Sequence, residues 1–163
     1  MATLSQKINE AIATTRDEDY LKALTLFVDI YGGEEAPTSL NNKAATGLSY
    51  FGLCLALVQK KYKIAIDLCK RALELEFYNG DHYVNLTRVY VAAGNRKKAL
   101  ETVETGLKLH ADYEPLLHTR RSLGERARPA VPFLDRSNPI NVSLGQARHA
   151  RKVAEKEGRK KGS

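Results

Sequence analysis

Internal repetition is the feature that most constrains what this chain can fold into. The segments 62–75 and 96–109 carry apolar or small residues at the same slots, with Ala65 and Ala99 lying 34 residues apart. An earlier copy, residues 20–30, brings Ala23 into register with both alanines. A period of this length marks a unit that cannot bury its apolar face alone and must stack on its neighbours. Two of the copies are preceded by a second pattern, Leu48, Phe51, Gly52 and Leu55 in one and Tyr83, Leu86, Thr87 and Tyr90 in the other. That i, i+3, i+4, i+7 spacing is one face of an α-helix. Each unit is therefore a helical hairpin. Gly52, Ala65, Ala72, Ala99 and Gly106 mark the crossings, because a larger side chain there would hold the helix backbones apart.

On these residues the chain resembles the tetratricopeptide (TPR) family, whose unit is two antiparallel helices with a W-x2-L-G-x2-Y … A-x3-F … P pattern. Leu48/Phe51/Gly52/Leu55 followed by Ala65/Cys69/Ala72 fit that pattern, as do Tyr83/Leu86/Tyr90 followed by Ala99/Val103/Gly106. The resemblance covers residues 5–123 and implies an all-α, TPR-like solenoid of about three hairpin repeats. Ile8, Ala11 and Ile12 mark the opening helix of the first repeat, and Leu116, Leu117 and Leu123 a final helix that caps the exposed apolar end of the stack. Residues 1–123 are read as the repeat domain and 124–163 as a basic, extended C-terminal region with a short helix near 139–154.

The chain departs from the family pattern in three places. Phe77 and Ala111 occupy the closing proline slot, so the helix ends fall to Asn79-Gly80, with Asp81 as N-cap, and to His110-Ala111-Asp112. One extra residue falls within 58–61. About eight more fall around Gly32-Gly33-Glu34-Glu35-Ala36-Pro37-Thr38, whose turn formers read as a longer loop.

Composition supports helices over sheets, since tryptophan is absent and aromatics are 7% while Leu, Ala, Lys, Glu and Arg abound. Residues 1–123 hold 16 Lys/Arg against 15 Asp/Glu, whereas 124–163 hold 10 against 4, so the formal +7 belongs mostly to the C-terminal region. The start, Met1-Ala2-Thr3-Leu4-Ser5-Gln6-Lys7, is not patterned as a secretory signal, and the greasiest run, 50–58, is too short to span a bilayer. A cytoplasmic setting is expected, in which Cys54 and Cys69, both on apolar helical stripes, remain core thiols.

No residue pattern announces catalysis, a cofactor or a metal. There is no phosphate-binding glycine motif, and Gly94-Asn95-Arg96-Lys97-Lys98 sits where the repeat needs its turn, with Gly94 as the helix terminator. His82, His110, His118 and His149 are scattered, without metal-ligand spacing, and read as solvated surface residues. Asp17-Glu18-Asp19 and Glu34-Glu35 read as acids of turns and helix starts.

The resemblance also implies a site. In this family the first helix of each hairpin lines a concave groove that holds an extended peptide or a helix. With the core stripe assigned, the opposite stripes are Thr46, Ser49, Tyr50 and Leu53 in the second unit and Asp81, Val84, Asn85 and Arg88 in the third. Asn85 and Arg88 lie one turn apart, and an amide beside a guanidinium can hold a peptide backbone or a carboxylate. The terminal-carboxylate clamp of some family members is incomplete here: only Asn85 resembles its set of Lys, Asn and Arg, Ser49 and Leu53 stand where a Lys and an Asn are expected, and Pro115 and Thr119 offer no cation.

Past Gly124, prolines flank Val131, Phe133 and Leu134, three apolar residues expected to dock on a helical face of the same molecule or of a second copy, because burying Phe and Leu is worth about 1.5–3 kcal/mol each. Asn138-Pro139 opens the short helix, with Ile140, Leu144 and Ala147 on one stripe. The stretch from Pro132 to His149 looks like tails of small bacterial TPR proteins. The expected function is thus a non-catalytic adaptor or scaffold for a protein or peptide client. The alternative is a nucleic-acid- or ribosome-associated factor binding through the basic tail.

Overall fold

The structure is a computed structural model that describes residues 2–33 and 42–124, together with 139, 142–144, 146–147 and 151. It divides into two compact units, Met1–Gly124 and Glu125–Ser163. The described residues are helical and contain no strand.

In the first unit, α1 (Leu4–Arg16), α2 (Tyr20–Tyr31) and α3 (Asn42–Cys54) are followed by a π-helical turn (Leu55–Gln59). After it come α4 (Tyr62–Leu75), α5 (Gly80–Ala92), α6 (Arg96–Leu109) and α7 (Glu114–Leu123). The packing alternates. Successive helices pair as α1 with α2, α3 with α4 and α5 with α6, while α1 meets α3, α3 meets α5 and α5 meets α7. The odd-numbered helices therefore form one row, and α2, α4 and α6 lie against that row without packing on one another.

Local chemistry fixes the helix ends. Thr3 accepts from Gln6 N while the Gln6 side chain accepts from Thr3 N, a capping box that satisfies two otherwise orphan donors. Asp19 and Asn95 cap α2 and α6 by accepting from Lys22 N and Lys98 N. At the start of α5 the cap is Asn79, which accepts from Asp81 N. Asp81, expected in that role, stands two residues further on, at the second helical position, and its carboxylate turns to other partners. The extra residue near 58–61 is absorbed as the π turn: the Lys60 N–H reaches back to Leu55 O, and Lys60 adopts φ 57° to leave the helix.

The small slots are where the sequence pattern put them. Ala65, Ala72 and Ala99 are fully buried. A Cβ on Gly52 would meet Ala65 O at 2.7 Å, and one on Gly106 would meet the Tyr83 side chain at 2.8 Å, so both backbones approach too closely for any side chain. Around these crossings Phe27, Tyr31 and Phe51 form a triad of rings, with Tyr31 stacked on Phe51 at 5.4 Å and on Phe27 at 6.1 Å and the Phe27–Phe51 pair tilted at 5.8 Å. Cys54 and Cys69 are buried, and burial pushes both thiols up, Cys54 to about 11.

The loop residues 34–41 lie outside the described residues, as do Val131, Phe133, Leu134 and Ile140. Within 139–154, positions 139, 142–144, 146–147 and 151 are helical.

Candidate functional site

Two polar networks are built on the row of odd-numbered helices, one sealed at its centre and one open. Their residues are neighbours in sequence.

The sealed network joins α3 to α5. Ser49 and His82 are fully buried, with Ser49 Oγ 2.7 Å from His82 Nδ1. On its other side His82 Nε2 lies 3.0 Å from Glu76 Oε2, which also accepts from Asn79 Nδ2 at 3.2 Å. Thr46 Oγ1 donates to Glu76 Oε1 at 3.0 Å, and Asn85 Nδ2 donates to Ser49 Oγ at 3.0 Å. Burial pushes the His82 pKa down; the carboxylates of Glu76 and Asp81 pull it up, and the net lies below its ordinary 6.5. The ring is therefore neutral at pH 7. One proton arrangement satisfies every member: Nε2–H donates to Glu76, Nδ1 accepts from the Ser49 hydroxyl, and that hydroxyl accepts from Asn85. Serine, histidine and glutamate in a line resemble a nucleophilic triad. Here the serine has no exposure, and Asn85 already donates to its oxygen, so no substrate carbonyl can reach it.

The open network centres on Asp81. Tyr50 Oη donates to Asp81 Oδ2 and Tyr113 Oη to Asp81 Oδ1, both at 2.6 Å. Arg16 Nη2 donates to the same carboxylate at 2.9 Å and to Tyr50 Oη at 3.1 Å. Residues from α1, α3, α5 and the connection before α7 thus meet on one carboxylate. Burial alone would raise the pKa of Asp81, but the hydrogen bonds from Tyr113 and Tyr50 and the charge of Arg16 outweigh it, and the net is lowered. Tyr113 is pushed up to about 12, by burial first and then by its bond to the carboxylate. All of these groups keep their neutral-pH charges.

Beside this network lies a cleft of about 380 Å³, walled by Asn9, Ala13, Arg16 and Asp17 of α1 and its following turn, by Thr46 and Tyr50 of α3, and by Asp81 of α5, over Ile12. The Arg16 side chain is 63% exposed there.

The expected groove stripe divides between the two environments. Thr46, Tyr50 and Asp81 line the cleft. Ser49, Leu53 and Asn85 do not face solvent; they are buried, because α5 packs on α3 along that stripe and the two polar side chains pair with each other and with His82. Val84 is half-buried and packs against the cluster of Tyr83, Val103 and Leu116. Arg88, expected beside Asn85 as a ligand clamp, turns to α2, where Nη2 donates to Tyr20 Oη at 2.7 Å and the guanidinium lies over the Tyr20 ring. His82, expected on the surface, is in the interior for the reason just given. The cleft residues that sequence reasoning missed, Asn9, Ala13 and Arg16, share one i, i+4, i+7 stripe on the helix whose repeat match is weakest. That polar stripe was the available signal.

Among the described residues no group of His, Cys, Asp and Glu is arranged to hold a metal ion, and no helix is long and apolar enough to cross a membrane. No protein-family model matches the chain, and no curated protein matches its sequence.

Proposed function

We propose that this chain is a tetratricopeptide-type adaptor that holds an extended protein or peptide segment in the cleft across α1, α3 and α5. The repeat reading draws support from the 34-residue register, from the alternating helix contacts, and from the turns inside the hairpins, each of which has one residue at positive φ, namely Glu18, Lys60 and Gly94. The role is binding without catalysis, in a cytoplasmic setting that keeps the two buried thiols reduced.

The observation that carries the proposal is the stripe Asn9, Ala13, Arg16 on the open face. Asn9 and Arg16 stand about 10 Å apart along α1 at 1.5 Å per residue, the reach of about three extended residues, and Ala13 leaves the space between them open. Asn9 supplies an amide that matches a peptide backbone. Arg16 spends one nitrogen on Asp81 and Tyr50, and its exposed guanidinium has further N–H groups to offer a client carbonyl or carboxylate. The Asp81 network holds that guanidinium in place before a client arrives, which lowers the ordering cost of binding.

Peptides selected from a random library on the full chain test this. Asn9→Ala with Arg16→Ala should weaken a selected peptide at least about tenfold, or about 1.4 kcal/mol, without moving the unfolding midpoint. Unchanged affinity would place the site elsewhere.

A further inference from the structure

A second surface, independent of the cleft, lies at the end of the first unit that carries the turns inside the hairpins. The three turns are built alike, each with one residue near left-handed geometry: Glu18 at φ 65°, Lys60 at φ 57° and Gly94 at φ 73°. Glycine adopts that conformation freely, whereas a lysine does so against a steric cost. Lys60 thus holds a cation at a tip where the next repeat uses glycine.

The first of these turns is acidic, Asp17-Glu18-Asp19, whereas the second and third are uniformly basic. Lys60, Lys61 and Lys63 flank the α3–α4 turn, and Arg96, Lys97 and Lys98 follow the α5–α6 turn. No acid occurs within 59–66 or within 92–100, and neither α4 nor α6 has an acidic residue in its first turn. Acids normally sit there to offset the positive helix end, so the helix dipoles add to the lysines instead. Lys60, Lys63 and Lys97 are exposed, and among the described residues none of them makes an ion pair. The arginines on the same unit are engaged: Arg16 with Asp81, Arg120 with Glu104 and Arg121 with Glu114. Arg96 Nη2 donates to Gly124 O at 2.7 Å, which ties the α5–α6 turn to the end of α7 and fixes the platform that carries Lys97 and Lys98.

We infer that the two basic tips, α3–α4 and α5–α6, dock on the phosphate backbone of a nucleic acid. Lysines at two successive repeat tips present exposed point charges, the form of contact that a repeating polyanion takes. The formal +6 of residues 124–163 favours the same partner, since a long polyanion can engage two basic regions of one chain at once.

The test is binding of the full chain to a labelled single-stranded oligonucleotide of about 20 nucleotides across a salt series. Lys60→Gly with Lys97→Gln should weaken binding about tenfold at low salt and make the slope of log K against log salt shallower by about 1.4, the equivalent of two lost phosphate contacts. Lys60→Gly alone should unfold at or above the parent's temperature, because it relieves the turn, so a loss of binding is not a loss of fold. The inference is overturned by any of four results: no binding by the parent, unchanged affinity and slope in the double variant, loss only when Arg159, Lys160 and Lys161 are changed to Gln, or equally tight polyglutamate binding that the double variant weakens just as much.

Discussion

Ser49 and Tyr50 are adjacent, as are Asp81 and His82, yet each pair is split between two worlds. Ser49 and His82 face inward at the fully buried centre of one network, while Tyr50 and Asp81 face the cleft and hold an exposed arginine. The comparison shows what polar groups between two helices can do. Where every donor and acceptor finds a partner in the interior, the polar residues specify how α3 and α5 register on each other. Where the polar groups border the cleft, similar chemistry holds the Arg16 guanidinium at its wall, the position that the proposed client would meet. Sealed groups should therefore govern stability and open ones binding.

The strongest way to break that division is His82→Leu. It leaves the buried Ser49 O–H without its acceptor and removes one donor to Glu76, and should cost about 2–4 kcal/mol in denaturant unfolding. Any peptide binding by the fraction that remains folded should persist. Asn85→Ala sharpens the same point, at about 1–2 kcal/mol through the lost bond to Ser49. Had Asn85 been a groove residue, the cost would appear in affinity and not in stability.

Asp81→Asn acts on the other side. It removes the anion on which Tyr50, Tyr113 and Arg16 converge, and because water can reach this site the expected cost is nearer 1 kcal/mol in unfolding, with a larger relative loss in peptide affinity.

The pH dependence separates the networks without a large perturbation. His82 has a folded-state pKa below its unfolded value of 6.5, so the unfolded chain binds more protons as pH falls through that value, and stability declines from about pH 7 downward. His82→Gln should flatten that slope. Asp81 has its pKa lowered in the fold, so its contribution is present above the ordinary carboxylate range and disappears only at more acidic pH, as the folded carboxylate takes up its proton. A thermal-unfolding series from pH 7.5 to about 2 should resolve the two regimes.

Much of the fold was legible because apolar periodicity reports burial directly. Leu48, Phe51 and Leu55, the small slots from Gly52 to Gly106, and the final helix at Leu116 were all assigned from spacing, and they are where the core lies. The site was less legible because spacing reports polarity, not partnership. Ser49, Asn85 and His82 are polar residues that satisfy one another across two helices, and no single-helix pattern distinguishes that from a wet face. Arg88 was misplaced for a related reason: its long side chain finds Tyr20 on a different hairpin. Arg16 and Asn9 were passed over because α1 carries the fewest repeat residues, although its polar stripe is what opens on the cleft.

The smallest expected effect on stability belongs to Arg16→Ala, below about 0.5 kcal/mol, since an exposed ion pair contributes little. The same variant gives the most direct test of the central claim. With a library-selected peptide, isothermal titration of Arg16→Ala and of Arg88→Ala should differ: the first loses at least about fivefold in affinity, roughly 1 kcal/mol, while the second keeps the parent's affinity. The reverse order, with Arg88 mattering and Arg16 silent, would contradict the assignment of the cleft on α1, α3 and α5 as the binding face.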